Sequence, residues 1–457
     1  MTRMMTKIMR RGAAVAVCSF AVSAFPALSR CEEVRKKTAA VAAAYALPDL
    51  PLGAFQNARW PASISNDRKI LLGSIGSDLW RSPEDADGEF WMLTDRGPNG
   101  LAKINGENRR TFLVPEFNPA ILRVKADGGA IHILETIPIV TRSGKPVTGM
   151  PNIEGRDETP YDFAGEKKLS FNSNGLDTEA LAQTASGEFW LAEEYGPSLL
   201  KIDRTGKVLK RYIPEGVKLE GADYAVEPAL PAIFGKRKIN RGFEGLALSS
   251  DQKTLYIALQ SPLSNLDKKT GDTSRNSRIL AFDVASEKVV AEYVYRFEAS
   301  KDFDPAHSAP DEMKISSLVF IKPDTLLVLE RTDWVAKLYS VDLAKATNIL
   351  GGKWDDPAAA PALEALHEPA DSDVKTLPKT LVLNLKNLDG IPDKVEGVAV
   401  IDANTIAVSN DNDFDFGEPD RTGNNVGRGI KNNILTIRLG RPLPTAQTPA
   451  DKALSAR

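Results

Sequence analysis

Acidic side chains recur at matching places in five segments of this 457-residue chain. The segments are GSDLW…GEFWMLTD, DTEALAQTASGEFWLAEE, FEGLALSSDQKTLYIALQ, ISSLVFIKPDTLLVLE and VEGVAVIDANTIAVSN. Aligning their apolar residues puts Ser77, Glu179, Glu244, Ser316 and Glu396 together near the start of a first strand. The same alignment puts Asp95, Glu194, Gln260, Glu330 and Asn410 together at the end of a second. Carboxylates crowded at one place repel and raise one another's pKa unless a cation neutralises them. A Ca²⁺-type ion, taking about six to eight oxygen ligands, suits such a set. The expected metal ligands are Asp95, Glu179, Glu244, Glu330 and Glu396, joined by Asn410, Asp411 and Asp413 from SNDNDFDFGEPD. In that run Asp411, Asp413 and Asp415 alternate as in an oxygen-ligand loop, although Gly417 falls one place late for a calcium-binding helix-loop-helix. Two plainer readings stay open: a glutamate at a strand start that only accepts backbone N–H bonds, and a solvated acidic turn.

Cations sit beside these acids. Arg96 follows Asp95 in TDRGPNG and Arg331 follows Glu330 in LERTD, where a guanidinium could clamp a phosphate or carboxylate. Arg241 and Lys201 are weaker candidates. Each arginine could equally be paired with the neighbouring acids. Histidine occurs only at His132, His307 and His367, outside the repeated segments, so a Ser-His-Asp or Cys-His device lacks a base. No G-x-S-x-G elbow, H-E-x-x-H pair or phosphate-cradling glycine loop is present. The scarcity of His and Cys argues against zinc.

To bring residues so far apart in sequence together, the repeats must be arranged around an axis. Each pair of strands is followed by further β-branched and aromatic runs such as SRILAFDVASEKVVAEYVYRF, and four strands per unit make a propeller blade. The reading is an all-β propeller of five visible four-stranded units, with room for a sixth, degenerate blade. Its ring is expected to close by the strand at 434–440 lying near 69–74. The inner strands would line a central channel.

Residues 1–30 read as a secretory signal, because Lys7, Arg10 and Arg11 precede a nearly uncharged run. The rest divides into a lead-in at 31–64, the propeller at 65–440 and an unstructured tail at 441–457. The two cysteines, Cys18 and Cys31, lie in or just after the signal, so no internal disulfide is expected. A formal net charge of −3, with 42% hydrophobic and 26% charged residues, marks an ordinary globular chain and gives no sign of nucleic-acid binding. The expected setting is periplasmic or secreted, with no membrane span once the signal is removed and a monomeric state.

The motifs FWMLTDRGPNG, GLDTEALAQTASGEFWLAEEYGPSLLKID, RGFEGLALSSDQKTLYIALQSPL and VEGVAVIDANTIAVSNDNDF resemble the phytase-like family, known for esterase-like activity of phytase, over roughly residues 65–440. That resemblance implies a propeller fold and an exported hydrolase of phosphate or related esters, with calcium as the expected cofactor. In that reading Glu194 or Glu244 acts as base, Arg96 or Arg331 steadies the departing anion, and the substrate is a small anionic ester. Two alternatives remain. One is lactone hydrolysis, by analogy with gluconolactonase-like propellers, with Glu179, Asn410 and Asp411 as the corresponding ligand types. The other is a non-catalytic envelope binding module with a structural metal.

Overall fold

The computed structural model describes residues 38–444. The expected signal at 1–30 and most of the expected tail lie outside the described residues. Strands dominate, and five sets of them pack side by side around an axis.

The first blade consists of the irregular segment 75–80 with strands Glu89–Leu93, Ala120–Asp127 and Ala130–Pro138. The second runs Thr178–Gln183, Phe189–Glu193, Ser198–Ile202 and Val208–Pro214, with Ala225–Leu230 added at its outer edge. The third is Phe243–Leu248, Thr254–Leu259, Asn276–Asp283 and Lys288–Arg296. The fourth is Lys314–Lys322, Thr325–Arg331, Ala336–Asp342 and Lys379–Asn384. The fifth is Val395–Asp402, Thr405–Asn410, Asn433–Arg438 and, from the other end of the chain, Ala40–Ala46.

Burial explains why the inner strands read as nearly continuous apolar runs. Both faces of each are covered by neighbouring blades, so Phe189–Glu193 is buried throughout, whereas outer Ala40–Ala46 alternates between exposed and half-buried residues. An apolar cluster fills each interface between blades. Trp91, Ile121, Leu181 and Phe189 join the first to the second; Ala180, Trp190, Leu246 and Phe282 join the second to the third. Ile279, Leu318 and Val328 link the third to the fourth, and Leu329, Leu338, Val398 and Leu435 link the fourth to the fifth. Phe90, Leu122, Ala407 and Ile434 complete the circle. Five interfaces leave no place for a sixth blade.

The ring closes by terminal strands, with the expected C-terminal strand but a different N-terminal partner. Ala40–Ala46, inside the segment read as a lead-in, pairs antiparallel with Asn433–Arg438, whereas 69–74 contains no strand. The sequence AVAAAYA has few of the β-branched residues that signal a strand, and its partner supplies the order its own propensity lacks. At the other end Leu443 is buried in the interface between the fourth and fifth blades, so packing continues past residue 440.

Two insertions matter to the site. Between the second and third strands of the first blade, Asn99–Ile104 and Glu107–Phe112 form a hairpin, extended in parallel by Pro160–Tyr161. Across the axis, Asp78 accepts hydrogen bonds from the Leu181 N–H of the second blade at 3.1 Å and the Ser317 hydroxyl of the fourth at 3.0 Å. One carboxylate thus ties three inner strands together.

Candidate active site

The recurrent acids sit at a repeated backbone irregularity. Thr178 faces Glu193 and Ala180 faces Ala192, leaving Glu179 without an opposite residue; Phe243 and Gly245 skip Glu244 in the same way. The pattern recurs at Ser316 between Ile315 and Ser317, and at Glu396 between Val395 and Gly397. Each is the additional residue of a β-bulge, and a bulge re-aims its side chain. Gly242, just before one bulge, approaches so closely that a Cβ there would lie 2.3 Å from the Glu194 carbonyl oxygen. Gly149 packs still more tightly on the Arg96 carbonyl, where a Cβ would lie 1.6 Å from the oxygen. Side chains at either place would force these backbones apart.

The second ring differs from the sequence alignment by one residue in two blades. In the ladders Glu193, Leu259, Glu330 and Asn410 occupy one register, each opposite the residue before the bulge. It is the following residues, Glu194, Gln260, Arg331 and Asp411, that line the central cavity, joined by Asp95. Successive strand residues point to opposite faces, so a slip of one moves a side chain from the channel into the blade. Glu330 accordingly accepts bonds from the Tyr295 hydroxyl, the Lys379 ammonium and, at 2.7 Å, the Glu298 N–H. Asn410 accepts from the Asn433 N–H at 2.8 Å and donates to the Lys431 carbonyl. The structure gives both a place in the scaffold, away from the cavity.

The cavity has a volume of about 190 Å³ and two unlike walls. On the side of the first and second blades stand Asp95, Asp177, Glu179 and Glu194, all buried. Oxygens of Asp95, Asp177 and Glu179 lie within 4.8 Å of one another, as do those of Glu179, Glu244 and Glu396. Burial, reinforced by neighbouring carboxylates, pushes Asp95, Glu179 and Glu194 well above the ordinary carboxylate range. Arg96 is the cation of this wall. Its guanidinium lies 3.5 Å from Asp177 and is shared with Glu158 at 3.2 Å, Asn99 and Asn240, while its N–H donates to Asp177. Glu158 also binds Arg110 at 3.0 Å.

Opposite, the carboxylates already have protein cations. Arg331 contacts Glu396, Glu244 at 3.3 Å and Asp333 at 2.8 Å, and donates to the Ser316 hydroxyl, which in turn donates to Glu244. Lys394 binds Asp411 at 2.8 Å and also Asp413. Despite burial, Lys394 and the Ser74 hydroxyl hold the Asp411 carboxyl down at about 2. Glu396 rises to about 8, because burial outweighs Arg331 and Lys394.

The alternating aspartates do not form a ligand loop. Asp411 and Asp413 share Lys394, while Asp415 accepts the N–H groups of Arg428, Gly429 and Ile430. Left-handed backbone at Asp413, Phe414 and Asp415 turns the side chains apart.

Of the expected site residues, Asp95, Arg96, Glu179, Glu194, Glu244, Arg331, Glu396, Asp411 and Asp413 line the cavity, whereas Glu330 and Asn410 do not. Alignment of the repeats did not single out Asp177, Asn240, Lys314 or Lys394. Asp177 and Lys394 were within reach, since each lies two residues before an aligned glutamate. Asn240 reaches the site through left-handed backbone before the third blade.

The donor set fits a hard divalent cation. It is all oxygen, and Asp177 Oδ2 and Glu244 Oε2 are buried without a hydrogen-bond partner. On the first-to-second-blade wall, carboxylates outnumber cations.

An uncharacterized secreted protein from Arthroderma benhamiae (strain ATCC MYA-4681 / CBS 112371) is 25% identical over 304 residues, 57% of this chain and 59% of the relative. The match therefore spans less than two thirds of that relative's length. Among solved structures, the calcium-binding protein regucalcin from Agrobacterium tumefaciens str. C58 aligns with 82% of this chain and 93% of its own at 11% identity and a TM-score of 0.31. A luciferin-regenerating enzyme aligns with 82% and 95% at 10% identity and a TM-score of 0.34. Likeness at that level says nothing about what this cavity binds. No helix among the described residues is long and apolar enough to cross a membrane. The family model "Phytase-like: Esterase-like activity of phytase" matches residues 73–414, which include all five inner strands and the cavity they enclose, and the chain belongs to that family.

Proposed function

We propose that the protein is an exported hydrolase that cleaves a small anionic ester, a phosphate or related ester, in the central cavity with the help of a divalent cation, Ca²⁺ by the chemistry of its donors. The observation that carries this reading is the division of one small cavity into a carboxylate-rich wall and a wall rich in protein cations. Asp95, Asp177 and Glu179 would hold the cation, with Glu244 at the border of the two walls. A bound divalent ion supplies Lewis acidity and lowers the pKa of water.

The remaining work falls to the chain's own groups. Glu194 faces the cavity, its carboxyl makes no hydrogen bond among the described residues, and its affinity for protons is raised by burial and by Asp177 and Glu244. Facing the cavity without a hydrogen-bond partner, that carboxylate is placed to take a proton from an attacking water. Arg96 and Arg331 are committed to Asp177 and Glu158, and to Glu244, Glu396 and Asp333, so their part is to position carboxylates.

The test is turnover of 4-nitrophenyl phosphate, 4-nitrophenyl acetate and a lactone panel, with Ca²⁺ and with chelator. Cation-dependent turnover is expected on an ester. Glu194→Gln is expected to lower kcat by about 100-fold or more while keeping the rise in melting temperature that Ca²⁺ produces. Absence of cation-dependent turnover on every class would overturn the reading.

A further inference from the structure

Among the exposed large apolar side chains of the described residues one is a tryptophan, Trp334, 43% exposed. It stands in the turn at 332–335 that joins the second and third strands of the fourth blade, shortly after Arg331 of the central cavity. A flat apolar ring left in water is either loose or a surface that binds something. This ring is not loose. Thr332 Oγ1 accepts the N–H groups of Trp334 at 3.3 Å and Val335 at 3.1 Å, and donates to the buried Asp304 carboxylate at 2.8 Å. The same carboxylate oxygen lies 3.2 Å from His307 Nδ1, and the imidazole stacks on the indole with centroids 3.5 Å apart and planes 16° from parallel. The contacts return to their starting point, so the orientation of Trp334 is set before any ligand arrives.

The indole forms one wall of a pocket of about 130 Å³. Leu388, Ile391 and Pro392 form further walls, and Leu388 and Ile391 are braced against the apolar interface between the fourth and fifth blades. His307 is not among the lining residues, so it supports the ring from outside the pocket. An apolar cavity of about 150 Å³ holds one benzene molecule, so this space takes a single ring and little more. The pocket also borders the central cavity. Lys394 lines both, and Asp333, another lining residue of the pocket, contacts Arg331 at 2.8 Å and Lys314 at 2.6 Å, two residues of the cavity wall.

We propose that this pocket is a subsite for one planar aromatic ring, stacked on Trp334, and that the ring belongs to the alcohol or phenol released from the ester. The first half stands on the pocket; the second rests on the hydrolase reading and narrows it to esters with an aromatic leaving group. A planar ring fits better than a saturated one because offset stacking needs a flat π-face against the indole. With Lys394 common to both spaces, a ring held in the pocket has its ester group directed toward the cavity.

The full chain carrying isotope-labelled tryptophan, titrated with benzyl alcohol and in parallel with cyclohexylmethanol, reads the subsite by NMR apart from turnover. The indole N–H signal lost in Trp334→Phe is that of Trp334. The expected result is a saturating shift of that signal, with benzyl alcohol bound about 5-fold or more tightly than cyclohexylmethanol. Saturation transfer observed on the ligand should show benzyl alcohol bound about 10-fold more weakly by Trp334→Ala and Trp334→Leu, and close to normally by Trp334→Phe. Trp334 lies in an exposed turn, so these variants should fold; Trp334→Leu, which keeps apolar bulk, decides the matter should Trp334→Ala unfold. A Trp334 signal that does not move, or equal binding in wild type and Trp334→Leu, overturns the subsite; equal affinity for the two alcohols overturns the aromatic assignment. Binding of benzyl alcohol without turnover of any ester would sink the hydrolase reading and leave the subsite standing. Turnover of 4-nitrophenyl acetate with KM unchanged in Trp334→Ala would do the reverse.

Discussion

The two walls of the cavity solve the same electrostatic problem differently. On the side of the fourth and fifth blades, Glu396, Asp411 and Asp413 have Arg331 and Lys394 among them, and buried charge is balanced within the chain. On the side of the first and second blades, Asp95, Asp177, Glu179 and Glu194 stand beside Arg96, which pairs with Asp177 and is itself divided with Glu158. A buried charge is tolerated when paired and hydrogen-bonded. One wall therefore carries its own cations, and on the other carboxylates outnumber them.

Removing the internal cation should have the largest effect. Arg331→Met would leave Glu244, Glu396 and Asp333 without their shared partner, and is expected to cost about 3–5 kcal/mol in urea unfolding. A loss below about 1 kcal/mol would mean that the wall is not balanced as described. The opposite wall should behave in the opposite way. In chelator, Glu179→Gln is expected to melt at or above the wild-type temperature, because it removes one of several repelling carboxylates. With Ca²⁺ at 100 times its Kd the wild type should gain about 2.7 kcal/mol and the variant nothing, as read by scanning calorimetry.

A third variant separates neighbouring residues. Glu330→Gln should cost roughly 2 kcal/mol through its bonds to Tyr295, Lys379 and Glu298, yet leave Ca²⁺ affinity unchanged in calorimetric titration. A change in affinity would return Glu330 to the cavity.

A pH-dependent effect concerns the tie across the axis. Burial lifts the Asp78 carboxyl from 3.8 to about 7, so the folded chain holds that proton more tightly than the unfolded chain. Its contribution to stability is fully present below about pH 4 and is lost as pH rises through 7, at up to roughly 1.4 kcal/mol per pH unit. Urea midpoints measured from pH 4 to 8 should lose this component of the slope in Asp78→Asn; an unchanged slope would contradict it.

Glu179, Glu244 and Glu396 could be aligned from the linear chain because the bulge repeats together with the apolar pattern that flanks it. Glu330 and Asn410 were misplaced because the alignment had no way to count through the end of a strand, where LER and SND offer neighbouring polar residues of equal plausibility. Ala40–Ala46 was missed because an alanine-rich strand is defined by its partner across the ring.

Composition and repetition thus determined that this chain would be a propeller with acids on its axis, since strand periodicity and recurrence are local properties that linear order preserves. Which acids share the cavity and which are paired with Arg331 and Lys394 were decided only in three dimensions. Pairing of buried charge depends on distances of a few ångströms between blades far apart in the chain, and no local pattern encodes them.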